Sequence, residues 1–301
     1  MLIGLGGESL ETPANGPVSS LAGWLEALFL RRQVVPLLAV LLLLAGCSPE
    51  PASMTSLPSP PAALDWWRPV PGLTWQWQIG DNEIDRSVQA DIFDVDLYVD
   101  QAVVDKIHAQ GQRVICYISV GSWEDWRPDA GKFPEAVLGK GYEGWSGERW
   151  LDIRRIDLLA PILRARLDLC QAKGFDALEP DNIDIHDEDT GFGLSYADQL
   201  AYARWLAVEA HARGLAIGIK NAPDMVADSL AFFDFAITED AYFEGWIDEM
   251  LPFVVAGKAV LAAEYTDTDM DFASACAWGR EHGVSFVLKN RDLDSWLEKC
   301  P

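Results

Sequence analysis

The chain has 301 residues, 50% of them apolar and 13 of them tryptophan, enough for one large domain with a sizeable core and within the length of a single α/β barrel. Its 47 acidic against 23 basic side chains leave a net charge of −24, which repels nucleic acid and anionic membrane surfaces and favours a neutral or cationic ligand, although acidity also serves solubility. With 4 histidines and no zinc-like Cys/His spacing, metal ligation has weak support, and no metal or organic cofactor is expected.

Arg31 and Arg32 precede an apolar run, Val34 to Leu44, that ends in Leu44-Ala45-Gly46-Cys47. The run has the length of a signal h-region rather than of a membrane span, and small residues precede the cysteine. This arrangement resembles the lipobox of bacterial lipoproteins, which implies lipidation of the Cys47 thiol and cleavage before it. Residues 1–46 are read as leader and signal peptide, with a translation start nearer Arg31 left open. Ser48, rather than Asp, after the cysteine resembles lipoproteins sent to the outer membrane, so the expectation is an exported protein touching the membrane through its lipid alone. Residues 47–64 carry Cys47 and a Pro/Ser-rich tether without apolar period, and the globular domain is expected over residues 65–301.

From Trp66 onward a short apolar strand, a polar loop and an amphipathic helix repeat. This pattern predicts a parallel sheet with helices outside. Eight strands are expected, the number a (β/α)8 TIM barrel requires: Thr74 to Ile79, Val95 to Tyr98, Val114 to Ser119, Ala177 to Glu179, Ala216 to Lys220, Phe235 to Thr238, Ala259 to Ala263 and Ser285 to Leu288. Helices are expected at Gln101 to Gln110, Leu158 to Lys173, Tyr196 to Arg213, Ile247 to Ala256 and Phe272 to His282. Gly111, Gly174, Gly214, Gly257 and Gly283 follow these helices directly, as left-handed caps do. An open doubly wound sheet is disfavoured because Gly80-Asp81-Asn82 supplies no glycine-rich phosphate loop after the first strand. The segment Ser122 to Arg149 reads as a loop laid over one end.

An exported location permits disulfides. Cys276 with Cys300 is the preferred pair and Cys116 reads as a small buried hydrophobe, with three connectivities of the four remaining cysteines formally open.

In a barrel of this kind the residue to read is the one at each strand's carboxyl end. Those positions hold Gln78 and Asp81, Asp96 and Tyr98, Tyr117 and Ser119, Glu179 and Asp181, Lys220 and Asn221, Glu239 and Asp240, Glu264 and Tyr265, and Lys289 and Asn290. A barrel does not need so many polar groups on one rim for stability. The densest stretch is Phe175 to Asp184, where Pro180 is not expected to extend a ladder and Glu179, Asp181, Asn182 and Asp184 follow an apolar strand. An acidic turn is the alternative reading of that stretch. Two carboxylates across a cleft can divide glycoside hydrolysis between a proton donor and a nucleophile or base, and Asp181 and Glu239 are the pair expected to do so. Trp77, Trp123, Tyr117 and Tyr242 are candidates to stack on sugar faces, each with a core role as the alternative.

Tyr117-Ile118-Ser119-Val120-Gly121, Gly174 to Asn182, Lys220-Asn221 and Thr238-Glu239-Asp240 together resemble glycoside hydrolase family 114, the TIM-barrel endo-α-1,4-polygalactosaminidases. The resemblance spans roughly Trp66 to Lys289 and implies hydrolysis of internal bonds in galactosamine-rich polysaccharide. It assigns Asp181 as nucleophile or base and Glu239 as acid. Asp81, Asp96, Glu179 and Glu264 then become candidate partners for substrate amines, Glu179 equally a support for its neighbours; Asn182 and Lys220 are further substrate-binding candidates, and Asp184 and His186 loop residues. The alternatives are a surface lipoprotein that binds cationic polysaccharide without cleaving it, and a hydrolase of another amino-sugar polymer.

Overall fold

The structure is a computed structural model that describes residues 65–80 and 83–301; the leader, Cys47, the tether and Asp81 lie outside the described residues. The chain runs through β1 (Trp75–Gln78), β2 (Ile92–Asp96), α1 (Gln101–Ala109) and β3 (Arg113–Ser119), then an insertion with β4 (Ser122–Glu124), β5 (Leu138–Gly141) and β6 (Glu148–Leu151). It continues through α2 (Ile156–Lys173), β7 (Ala177–Asp181), α3 (Tyr196–His211), β8 (Ala216–Lys220), α4 (Val226–Ser229) and β9 (Phe235–Glu239). Last come α5 (Leu251–Val255), β10 (Val260–Tyr265), α6 (Phe272–His282), β11 (Ser285–Lys289) and the short β12 (Glu298–Lys299).

All eight expected strands form one parallel sheet in the order β1-β2-β3-β7-β8-β9-β10-β11, curled as in a TIM barrel. The ninth member, β12, runs antiparallel to β11. At the seam, side chains tie β1 to β11: Trp75 Nε1 donates to the Ser285 carbonyl at 3.0 Å, and Lys289 Nζ to Gln76 Oε1 at 3.1 Å. The five glycines expected to end helices all have positive φ, from 72° to 81°, the left-handed conformation that costs a residue without Cβ least.

Strand alternation divides the core into two layers. Phe93, Val95, Cys116, Leu178, Ile217 and Ile219 face the helices, whereas Trp75, Trp77, Ile92, Ala177, Ala216, Phe235, Ile237 and Tyr265 fill the lumen. The lumen holds its large rings because small residues face them. A Cβ on Gly218 would stand 2.6 Å from the Phe235 ring.

Several local expectations change. The second strand starts at Ile92, not Val95, because Asp94 points into the lumen and its charge does not end the strand. Pro180 lies within β7: β3 stays in register to Ser119↔Asp181, while the β7–β8 register stops at Leu178↔Ile217. The missing N–H thus coincides with the early end of one ladder. Ser122 to Arg149 is not a plain loop but carries an antiparallel sheet in the order β4-β6-β5. Cys116 is not a free hydrophobe. It bonds Cys170 near the end of α2, and Cys276 bonds Cys300 as expected.

Candidate active site

The carboxyl ends of β7, β8 and β9 bring three charged groups into contact. Lys220, 2% exposed, places its ammonium 2.7 Å from Asp181 Oδ1 and 2.6 Å from Glu239 Oε2. Glu179 Oε1 lies 3.7 Å below the same nitrogen. Burial works against the lysine charge, but Asp181, Glu239 and Glu179 together push its pKa well above the usual range, so it remains an ammonium. Because both oxygens touch one nitrogen, Asp181 Oδ1 and Glu239 Oε2 are at most about 5.3 Å apart, so the two carboxylates face one point of the cavity.

Each carboxylate is fixed by further donors. Tyr117 Oη donates to Asp181 Oδ2 at 2.9 Å, and burial, with the charge of Asp181 next, holds that phenol in its protonated form. Asn182, with a φ of 59°, turns its side-chain amide to Ser119 Oγ at 3.0 Å and Asp181 Oδ2 at 3.3 Å. Tyr265 donates to Glu239 Oε1, and the Arg291 guanidinium lies 3.9 Å over the Tyr265 ring. Asn221 Oδ1 accepts the Glu239 N–H at 3.0 Å.

Above these groups opens a cavity of about 1160 Å³, larger than the roughly 300–1,000 Å³ of small-molecule sites. The barrel supplies Trp77, Asp96, Tyr117, Asp181, Asn182, Lys220 and Glu239 to its lining. The insertion supplies Trp126, Tyr142, Trp145 and Glu148, and the loop after β7 supplies Asp184 and Glu188. Burial pushes Glu148 up to about 7 and Asp184 to about 6.

Of the expected residues, Asp181, Glu239, Tyr117, Asn182, Lys220 and Asp96 meet at this cavity, Asp96 paired with Arg127 at 2.5 Å. Trp77 is present as floor: it is 1% exposed and donates Nε1 to Glu179 Oε2 at 3.1 Å. Glu179 and Glu264, both 0% exposed, cannot reach a substrate amine. Glu264 instead accepts the backbone N–H groups of Tyr242 and Phe243 at 2.8 and 3.1 Å, shaping the loop after β9. Tyr242 packs edge-on to Trp278 and Phe286, away from the cavity, and Trp123 donates to the Ala130 carbonyl at 3.0 Å. The exposed rings that line the cavity are Trp126 and Trp145, 53% and 56% exposed. Their signal was their place in a Trp- and Gly-rich stretch, which does not say which ring turns outward.

A model described as glycoside-hydrolase family GH114 matches residues 56–301. The crystal structure of Aspergillus fumigatus Ega3 in complex with galactosamine is similar at 35% identity and a TM-score of 0.74, covering 78% of this chain and 98% of that one. The glycoside hydrolase domain of PelA from Pseudomonas aeruginosa shares the fold at 15% identity and a TM-score of 0.59, covering 76% of this chain and 98% of its own. None of the curated proteins compared with the chain matches it. The family match takes in every strand of the barrel and both carboxylates bridged by Lys220, and the chain belongs to glycoside-hydrolase family GH114.

Proposed function

We propose that the protein is a retaining endo-glycosidase of galactosamine-containing polysaccharide, cleaving internal α-1,4 bonds with Asp181 as nucleophile and Glu239 as acid and then base. The carrying observation is the pair of carboxylates held side by side on one ammonium, a closeness that favours direct attack by one of them over a water placed between them. In the first step Asp181 attacks the anomeric carbon, the bond to the leaving sugar breaks, and Glu239 gives its proton to the departing oxygen. In the second step Glu239 takes a proton from water, whose oxygen attacks the same carbon and frees Asp181. Tyr117, Asn182 and Lys220 orient Asp181, and Tyr265 and Lys220 orient Glu239. The galactosamine of the Ega3 structure and the acidic wall formed by Asp96, Glu148, Asp184 and Glu188 support a substrate bearing ammonium groups. Trp126 and Trp145 offer faces on which sugar rings can stack.

The test is to incubate the protein with acetylated and deacetylated galactosamine polymers and with a glucosamine polymer, following new reducing ends and their anomeric configuration. New α-configured ends from the galactosamine polymer alone are expected, and none from Asp181→Asn or Glu239→Gln. Binding without products, products that persist in those variants, or initial β-configured ends would sink the assignment.

We also propose that Cys47 carries a lipid that anchors the exported protein, on the basis of the basic pair, the apolar run and the small residues before it. Membrane-fraction recovery lost in Cys47→Ser is the expected result. Retention of that variant in the membrane would refute it.

A further inference from the structure

Asp94 and Glu179 are lumen acids, on β2 and β7, that the reaction does not touch. Both are 0% exposed and stand on strands that flank β3, where each acts on the charge of the other. Glu179 Oε2 accepts from Trp77, but Glu179 Oε1 and both oxygens of Asp94 meet no hydrogen-bond donor among the described residues. The charged or titratable groups facing the pair are Lys220 on β8, Asp181 on β7 and Tyr117 on β3. Lys220 is 3.7 Å from Glu179 and already committed to Asp181 and Glu239. Two adjacent carboxylates in full burial repel and lack solvation, so both cannot be ionised. Two neutral acids would leave the Lys220 ammonium without a fixed countercharge beneath it. One proton satisfies both conditions, because the acid donates O–H to its ionised neighbour and the pair keeps a single negative charge.

We propose that Asp94 and Glu179 share one proton and that the charge they hold beneath Lys220 is a positioning element, keeping the ammonium seated between Asp181 and Glu239. This rests on the reading of those two carboxylates as the reacting pair. In the first step Asp181 passes from carboxylate to ester while Glu239 passes from acid to carboxylate, so negative charge swings from one side of Lys220 to the other. The second step reverses the swing. A fixed charge on the third side holds the ammonium in place through both.

The test replaces each acid by its amide in the full-length protein. Asp94→Asn and Glu179→Gln each keep one donor, one acceptor and one charge in the pair, whereas the double variant removes the charge. Each single variant is expected to lose no more than about tenfold in kcat and the double variant more than about 100-fold, beyond the product of the singles, with KM little changed. The acid limb of the kcat profile should move to lower pH in the double variant, because removing a nearby negative charge favours ionised Asp181 and Glu239.

Infrared difference spectra of wild type against each single variant, at alkaline pH, should show one protonated-carboxyl band lost in both. This arm needs no substrate and does not require the double variant to fold. The shared proton is overturned if the wild type lacks that band. The positioning role is overturned if the double variant is as active as the singles, or if either single loses as much as the double. A wild type that shows the band but releases no reducing ends overturns the hydrolase reading, and the positioning role with it, while supporting the shared proton.

Discussion

The floor of the cavity and its inserted wall are built in opposite ways. On the floor, Trp77, Glu179 and Lys220 are at most 2% exposed, come from parallel strands, and are tied to one another by hydrogen bonds and charge. On the wall, Trp126 and Trp145 are more than half exposed and hang from the turns of a small antiparallel sheet. The wall is still braced. Glu148 accepts from Ser122 Oγ at 2.6 Å, Ser122 meets Ser119 Oγ at 2.7 Å, and the Arg166 guanidinium ties α2 to Asp129 through two contacts of 2.8 Å. On the proposed function the difference becomes a division of labour: buried, mutually fixed charge would set the geometry of reaction, and exposed rings the grip on the polymer. Floor variants should therefore act on kcat and wall variants on KM.

The largest break in that contrast is expected from Lys220→Met. It removes the bridging cation and leaves the part-buried Asp181 and Glu239 facing each other, so both are pushed toward the protonated form and their spacing is lost. A fall in kcat of roughly 100- to 1,000-fold is expected, with the pH profile displaced upward. Steady-state kinetics across pH check this. A variant that keeps its kcat would show that the ammonium is only an ion-pair filler.

Tyr265→Phe and Tyr117→Phe come next, each deleting one hydrogen bond to a carboxylate while keeping the ring. A charged hydrogen bond is worth about 1.5–3 kcal/mol, so kcat should drop about 10- to 100-fold in each, with thermal stability hardly moved. Comparing kcat with the melting temperature separates loss of orientation from loss of fold.

Much of the floor was legible in the sequence and little of the wall was, for a physical reason. Barrel strands deliver their last residues to one rim, so Asp181, Lys220 and Glu239 could be placed from strand order alone. Glycine caps located the helix ends for the same reason, since backbone conformation narrows residue choice locally. Glu179 was harder: its position on β7 is the rim position, but whether it faces polymer or core depends on Asp94 and Trp77, far away in sequence. Asp94 was hidden because an acid inside an apolar strand reads as the strand's edge. Trp126 and Trp145 differ from Trp123, which donates to the Ala130 carbonyl, in which way the inserted segment turns them, and this is set by tertiary packing.

Trp126→Ala and Trp145→Ala sharpen the wall side. Each stacking contact is worth about 0.5–1.5 kcal/mol beyond its area, so KM for a long polymer should rise up to about tenfold with kcat nearly constant. Short oligomers should show less effect if the rings lie far from the cleaved bond. A kcat loss as large as that of Lys220→Met would collapse the distinction between wall and floor.

The smallest expected effect concerns acids on both sides of the contrast. Burial pushes Asp94 and Glu148 up to about 7 and Asp184 to about 6, whereas in the unfolded chain such carboxyls ionise near about 4. Between about pH 4 and pH 7 the folded protein therefore holds more protons than the unfolded chain, so these groups make stability fall as pH rises through that window and level off above it. Glu209 works in the opposite direction: the hydrogen bond from Arg164 holds it below its usual range, and its contribution is lost only as pH falls below about 4. Thermal unfolding should thus give a melting temperature that is highest near about pH 4, declines by a few degrees toward about pH 7 and changes little above it. Glu148→Gln should remove the wall's larger share of that decline and leave the share of Asp94, because the amide has no charge to bury. A decline unchanged by that substitution would mean the wall carboxyl is solvated, and the electrostatic difference between wall and floor would then be wider than their burial implies.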